Sequence, residues 1–92
     1  MTELRFEWDP AKAAANLKKH RIGFDEARSA FADERAKIIA DPDHSEGEEQ
    51  FILLGLSTTL KLLVVCHCYR DTNNVIRIIS ARKATAIESR NY

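Results

Sequence analysis

The apolar positions of the chain change period several times, and each change marks a new element. LRFEW (4–8) alternates, with Phe6 and its i±2 neighbours Leu4 and Trp8 on one side, which predicts a short edge strand. Asp9-Pro10 then supplies a helix cap followed by proline at the first helical position. Ala13/Ala14, Leu17 and His20 recur at helical spacing through AKAAANLKKH. After Arg21-Ile22-Gly23, FDEARSAFAD predicts a second helix with Phe24, Ala27 and Phe31 inward. AKIIAD (36–41) reads as a short strand, PDHSEGE as a polar loop, and EEQFILLGLS (48–57) as a long, central, apolar strand. KLLVVCHCYR (61–70) is the next strand, and Asp71 to Asn74 is a hairpin turn leading to VIRIIS (75–80). Ser80 reads as the N-cap of a terminal helix, with Arg82 at its start and Ala84 and Ile87 at helical spacing.

The predicted order is β-α-α-β-β-β-β-α, an α+β domain with an antiparallel sheet flanked by two N-terminal helices and a C-terminal helix. Ninety-two residues suit a single domain, residues 1–92, with a small core. No apolar run approaches the length of a membrane span, and the first residues lack a hydrophobic stretch of signal-peptide type. Cys66 and Cys68 sit two apart on one strand, a spacing that fits neither a disulfide framework nor a zinc pair. These features point to a cytoplasmic protein without a cofactor.

The zero net charge is a cancellation. Residues 10–21 hold Lys12, Lys18, Lys19 and Arg21 and no acid, whereas residues 22–50 are strongly acidic and residues 51–92 again basic. Such blocks allow a local basic surface for an anionic partner on a neutral whole.

An even-length turn after Arg70 puts Cys68 opposite Arg77 and keeps Arg70 and Arg77 on one sheet face, with His67 and Tyr69 on the other. Two arginines on one strand face, with Arg82 just beyond, form a phosphate-binding arrangement. The structural alternative pairs them with Glu48 or Glu49 on the neighbouring strand. His67, amid apolar residues, suits a satisfied core position. His20 follows two lysines at a helix end; these disfavour a further positive charge and suit a proton acceptor. The loop with Asp41, Asp43, His44 and Glu46 matches no metal-ligand template, so no metal site is expected. The chain carries no nucleophile elbow, P-loop or HExxH motif. Basic residues and histidine suit attack of an RNA 2′-hydroxyl on its own phosphate, because the substrate brings its nucleophile.

FEWDPAKAAANLKKHRIGFDEA, DPDHSEGEEQFILLGLS and IRIISARKAT, with Glu88 and Tyr92 after them, resemble the BrnT family across nearly the whole chain. The resemblance implies a RelE-like fold and a ribonuclease toxin of a type II toxin–antitoxin system that inhibits translation. It further implies a BrnA-like antitoxin as partner, operator DNA contacted only through that antitoxin, and room for oligomers or higher complexes. Carried onto this sequence, it marks His20, Arg70, Arg77 and Arg82 as catalytic candidates. It also matches Lys19 and Ser80, which become RNA contacts; Lys61, where the family often has Gly-Arg, and Tyr92, a second candidate for proton transfer after His20, are added to the RNA-binding set. The chain departs from the family pattern in reading Arg21 where glycine is common and Gln50 where arginine is common.

A second reading, from a different class, is a non-catalytic module that binds a partner through its sheet. Direct DNA binding is disfavoured by the absence of net positive charge and of a basic recognition helix.

Overall fold

The computed structural model describes residues 4–41, 49–70 and 74–92. The elements are β1 (Arg5–Glu7), α1 (Pro10–His20), α2 (Phe24–Ser29) continued by a 3₁₀ turn at Ala30–Ala32, β2 (Lys37–Ala40), β3 (Phe51–Leu56), β4 (Leu62–Arg70), β5 (Val75–Lys83) and α3 (Ala86–Ser89). The strands form one sheet in the order β1-β5-β4-β3-β2. The polar loop with His44 and Ser45, and most of the Asp71–Asn74 turn, lie outside the described residues.

The sheet is mixed rather than antiparallel, because β1 runs parallel to β5, with Phe6 beside Ile76 and Glu7 beside Arg77. An alternating three-residue strand carries the same pattern in either direction, so its sequence does not encode orientation. β3 lies inside the sheet, while β4 takes the central place.

One face of the sheet is covered by α1, α2 and the 3₁₀ turn. Ile22, Phe24, Ala27 and Ala30 meet Leu53, Leu63, Val65, Ile76, Ile78 and Ala81 there to form the core. Gly55 is needed where β3 passes under the turn: a Cβ there would lie 2.9 Å from the Ala30 carbonyl oxygen and 2.8 Å from Leu53 Cδ2.

α1 starts as the sequence predicts, with the Asp9 carboxylate accepting from the Ala11 N–H at 2.9 Å and Pro10 following. Its end is closed by Arg21 in the left-handed region at φ 61°, whose N–H reaches the Leu17 carbonyl at 2.9 Å. That conformation accounts for the glycine expected of the resembled family at this position. Arg21→Gly will raise stability by about 0.5–1 kcal/mol in chemical denaturation, since the left-handed penalty exceeds glycine's entropic cost.

His67 is fully buried on the helix-facing side opposite Ile78, as its apolar context predicts. Its Nδ1 lies 3.1 Å from the Val65 carbonyl, which can only accept, so Nδ1 carries the hydrogen and Nε2 accepts from the Tyr69 hydroxyl at 3.3 Å. Phe31 and Tyr69 meet the ring edge-on. Burial pushes its pKa below the ordinary value, against a smaller opposing effect of the Val65 hydrogen bond. A histidine held neutral in the folded state contributes stability that is full above its unfolded pKa of about 6.5 and is lost as pH falls through that value toward the folded one. The urea midpoint will therefore fall between pH 7.5 and pH 5.5, and His67→Leu will flatten this dependence.

The largest departure from the sequence reading is at the end of β5. Ser80 caps no helix and Arg82 begins none: the strand continues to Lys83, with Ser80, Ala81 and Arg82 opposite Cys66, Val65 and Val64. The long β4 offers a hydrogen-bonding partner to each of these residues, which outweighs one local cap. The helix starts at Thr85 instead. There the Thr85 hydroxyl accepts from the Glu88 N–H at 3.2 Å and the Glu88 carboxylate accepts from the Thr85 N–H at 2.8 Å, a full capping box.

Candidate functional site

Between Cys66 and His67 the β4–β5 register slips by one: Cys66 faces Ser80 while His67 faces Ile78, leaving Ile79 as the extra residue of a β-bulge. Arg77 and Arg82 are five apart, and on a regular strand they would point to opposite faces. The bulge reverses the parity, so Arg77, Ser80 and Arg82, paired with Cys68, Cys66 and Val64, all share the face turned away from α1 and α2. Arg70 of β4 and Arg5 and Glu7 of β1 belong to the same face by register.

The centre of this face is the group around Glu7. Arg77 Nη1 donates to Glu7 Oε2 at 2.7 Å, and Arg70 Nε lies 3.8 Å from the same oxygen. All three side chains are between a third and a half exposed. With Arg5, Phe6 and Val75, Arg70 and Glu7 line an open pocket of about 440 Å³. Among the described residues the acid that both arginines share is Glu7 of β1; Glu48, one partner named in the structural alternative, lies outside the described residues. Glu7 is the residue the sequence reading missed, although FEWDP was among the stretches that carried the family resemblance.

Arg82 is placed differently. Its Nη1 and Nη2 bind both oxygens of Glu88 at 2.7 and 2.8 Å, a fork that ties β5 to α3. The Arg82 guanidinium and the Thr85 backbone push the Glu88 carboxyl down to about 2. Four residues of β4 separate the partners of Arg77 and Arg82, about 13 Å at roughly 3.3 Å per residue. The two arginines are therefore in line along the face and not side by side.

His20 and Lys19 lie on the β5-facing side of α1. With Lys12, Ala15, Asn16, Ile79 and Ser80 they line a second pocket of about 220 Å³, next to the bulge. Ser80 thus joins this pocket to the outward face. Asn16 is buried beneath it, donating to the Ala81 and Ile22 carbonyls at 2.8 and 3.0 Å and accepting from the Ala81 N–H at 3.0 Å.

The remaining candidates stand apart. Lys61 lies in the β3–β4 turn, nine residues before Arg70 along β4 and so about 30 Å from it. Tyr92 donates its hydroxyl to Asp33, which also accepts from the Leu56 N–H at 2.8 Å. That bond lowers the pKa of Asp33 and raises that of Tyr92. Gln50 accepts from the Cys66 thiol at 3.3 Å, and burial pushes that thiol up.

These features define a small α+β protein with an open, arginine-bearing sheet face suited to anions. Residues 8–88 match the family described as the ribonuclease toxin, BrnT, of type II toxin–antitoxin systems. The chain belongs to that family. Its fold is similar to that of the Brucella abortus ribonuclease toxin, BrnT, known from a crystal structure at 1.1 Å resolution. The TM-score is 0.66 at 20% sequence identity, covering 89% of this chain and 97% of the other. A comparison with curated proteins finds no match. Membership of a type II system implies an antitoxin partner. No helix among the described residues is long and apolar enough to cross a membrane.

Proposed function

We propose that the chain is an endoribonuclease that cleaves RNA by metal-independent attack of a 2′-hydroxyl on the adjacent phosphate. It inhibits translation by doing so and is neutralised by a DNA-binding antitoxin. The observation that carries this reading is the Arg70–Arg77 pair, held side by side on an open sheet face and reachable from solvent. Two guanidinium groups on one face suit the phosphate that gains charge in the transition state. The Lys12–Lys19–His20 pocket adjoins the same stretch of β5 through Ser80, so a strand of RNA lying across Arg77 extends naturally over it. In this reading Lys19 and Ser80 hold the strand and His20 takes part in proton transfer. Arg82 contributes charge further along the face, and Lys61 and Tyr92 contact RNA only beyond the scissile nucleotide.

The test is incubation of the purified chain with a defined RNA in excess EDTA, with the fragment ends identified. Fragments ending in 2′,3′-cyclic phosphate are expected. RNA that stays intact with the chain alone and with ribosomes present would overturn the proposal.

The alternative, a non-catalytic module working through its sheet, has one observation in its favour. The same outward face carries an apolar groove of about 290 Å³ between Ile39, Ile52, Leu54, Val64 and α3, and Ile39 on the edge strand is 61% exposed. Its signature is retained partner binding by a chain that leaves RNA intact.

A further inference from the structure

We infer that Glu7 is the group that accepts the 2′-hydroxyl proton, an assignment that rests on the ribonuclease reading above. Among the described residues Glu7 is the acid that lines the arginine pocket, and its carboxylate stands 2.7 Å from the guanidinium proposed to hold the scissile phosphate. An exposed ion pair of this kind contributes little to folding, so stability is a weak reason for it. Position gives a stronger one. A phosphate that takes Arg77 brings the 2′-oxygen of its own nucleotide beside Glu7, within the reach a general base needs. The same exchange moves the Arg77 hydrogen bond from Glu7 Oε2 to the phosphate and leaves that oxygen lone pair for the incoming proton. The carboxylate is thus screened by arginine in the free chain and becomes a base once RNA is seated.

The step balances without a further reactant. The 2′-O–H proton passes to Glu7, the 2′-oxygen forms a bond to phosphorus, and the bond from phosphorus to the 5′-oxygen breaks. The departing 5′-oxygen takes a proton from solvent water, and the hydroxide so formed takes the proton back from Glu7. Among the described residues, the charged groups around Glu7 are Arg5 on its own strand, Arg77 from β5 and Arg70 from β4, with Asp9 acting on Arg77.

The experiment is steady-state cleavage of a defined RNA by the full chain, Glu7→Gln and Glu7→Asp across pH 4 to 9, with thermal melts of each. Glu7→Gln is expected to lower kcat about 10²–10⁴-fold with KM unchanged or lower, and to abolish the acidic limb of the kcat/KM profile. Glu7→Asp keeps that limb at a reduced rate. A Glu7→Gln chain that retains kcat within threefold, or that loses activity through KM with the acidic limb intact, overturns the assignment while the ribonuclease reading stands. If Glu7→Gln does not fold, the limb and rate of Glu7→Asp decide in the same way. Absence of RNA cleavage by the unaltered chain overturns both.

Discussion

Arg77→Ala will lower RNA cleavage by about 10²–10³-fold while the chain stays folded, the usual consequence of removing one charge-stabilising donor from a transition state. The fold is expected to survive because the hydrogen bond and ion pair of the Arg77 side chain are made to Glu7 on an exposed face. Val75, Ile76 and Ile78 retain the packing and pairing of β5. Arg82→Ala is the informative comparison. Its guanidinium anchors Glu88 and with it the capping box of α3, so its loss will be felt first in the melting temperature and less in the cleavage rate. Rates and thermal melts on the two variants separate these roles. Equal loss of cleavage, or loss confined to Arg82→Ala, would shift the proposed phosphate site along the face toward α3.

Most of the β4–β5 hairpin was legible in the sequence because parity alone decides it: Arg70 opposite Val75 and Cys68 opposite Arg77 follow from the length of the turn. His67 was legible for a similar reason, since an apolar strand buries whatever lies on its inward face. Three things were not. The bulge at Ile79 has no signature of its own in IRIIS, yet it decides that Ser80 and Arg82 share the face of Arg77. Ser80 offered a cap that a long neighbouring strand outcompeted, while the Thr85/Glu88 pair that does start α3 was present as a threonine–glutamate spacing of three and went unread. Glu7 could not be tied to Arg70 and Arg77 by any local rule, because that contact depends on a three-residue strand adding in parallel to the far end of the chain. Arg82 itself shows the limit of reading function from residue type: the same arginine that suits a phosphate is committed to a carboxylate.

Asn16→Ala will be the most destabilising of these substitutions, at about 2–4 kcal/mol, enough to lower the melting temperature of a chain this short by roughly 10–25 °C. β1 pairs with β5 only as far as Arg77, so past that point the outer edge of β5 has no neighbouring strand. The Asn16 side chain takes the place of one, accepting from the Ala81 N–H and donating to the Ala81 carbonyl while also reaching the Ile22 carbonyl. All of these groups are buried against α1, where unmade hydrogen bonds cost about 1–3 kcal/mol each. Alanine removes the amide and leaves them without it. Leucine fills the space without restoring the bonds and should do no better, whereas an asparagine-to-aspartate change keeps the acceptor and loses the donor. The position also bears on function. Asn16 holds α1 against the bulge at Ile79, and the bulge sets the direction of Ser80 and Arg82 as well as the distance of Lys19 and His20 from the outward face. An Asn16→Ala chain that still folds at low temperature should therefore cleave RNA more slowly than its folded fraction accounts for. Proportional loss of activity and folded protein would reduce Asn16 to a purely structural residue.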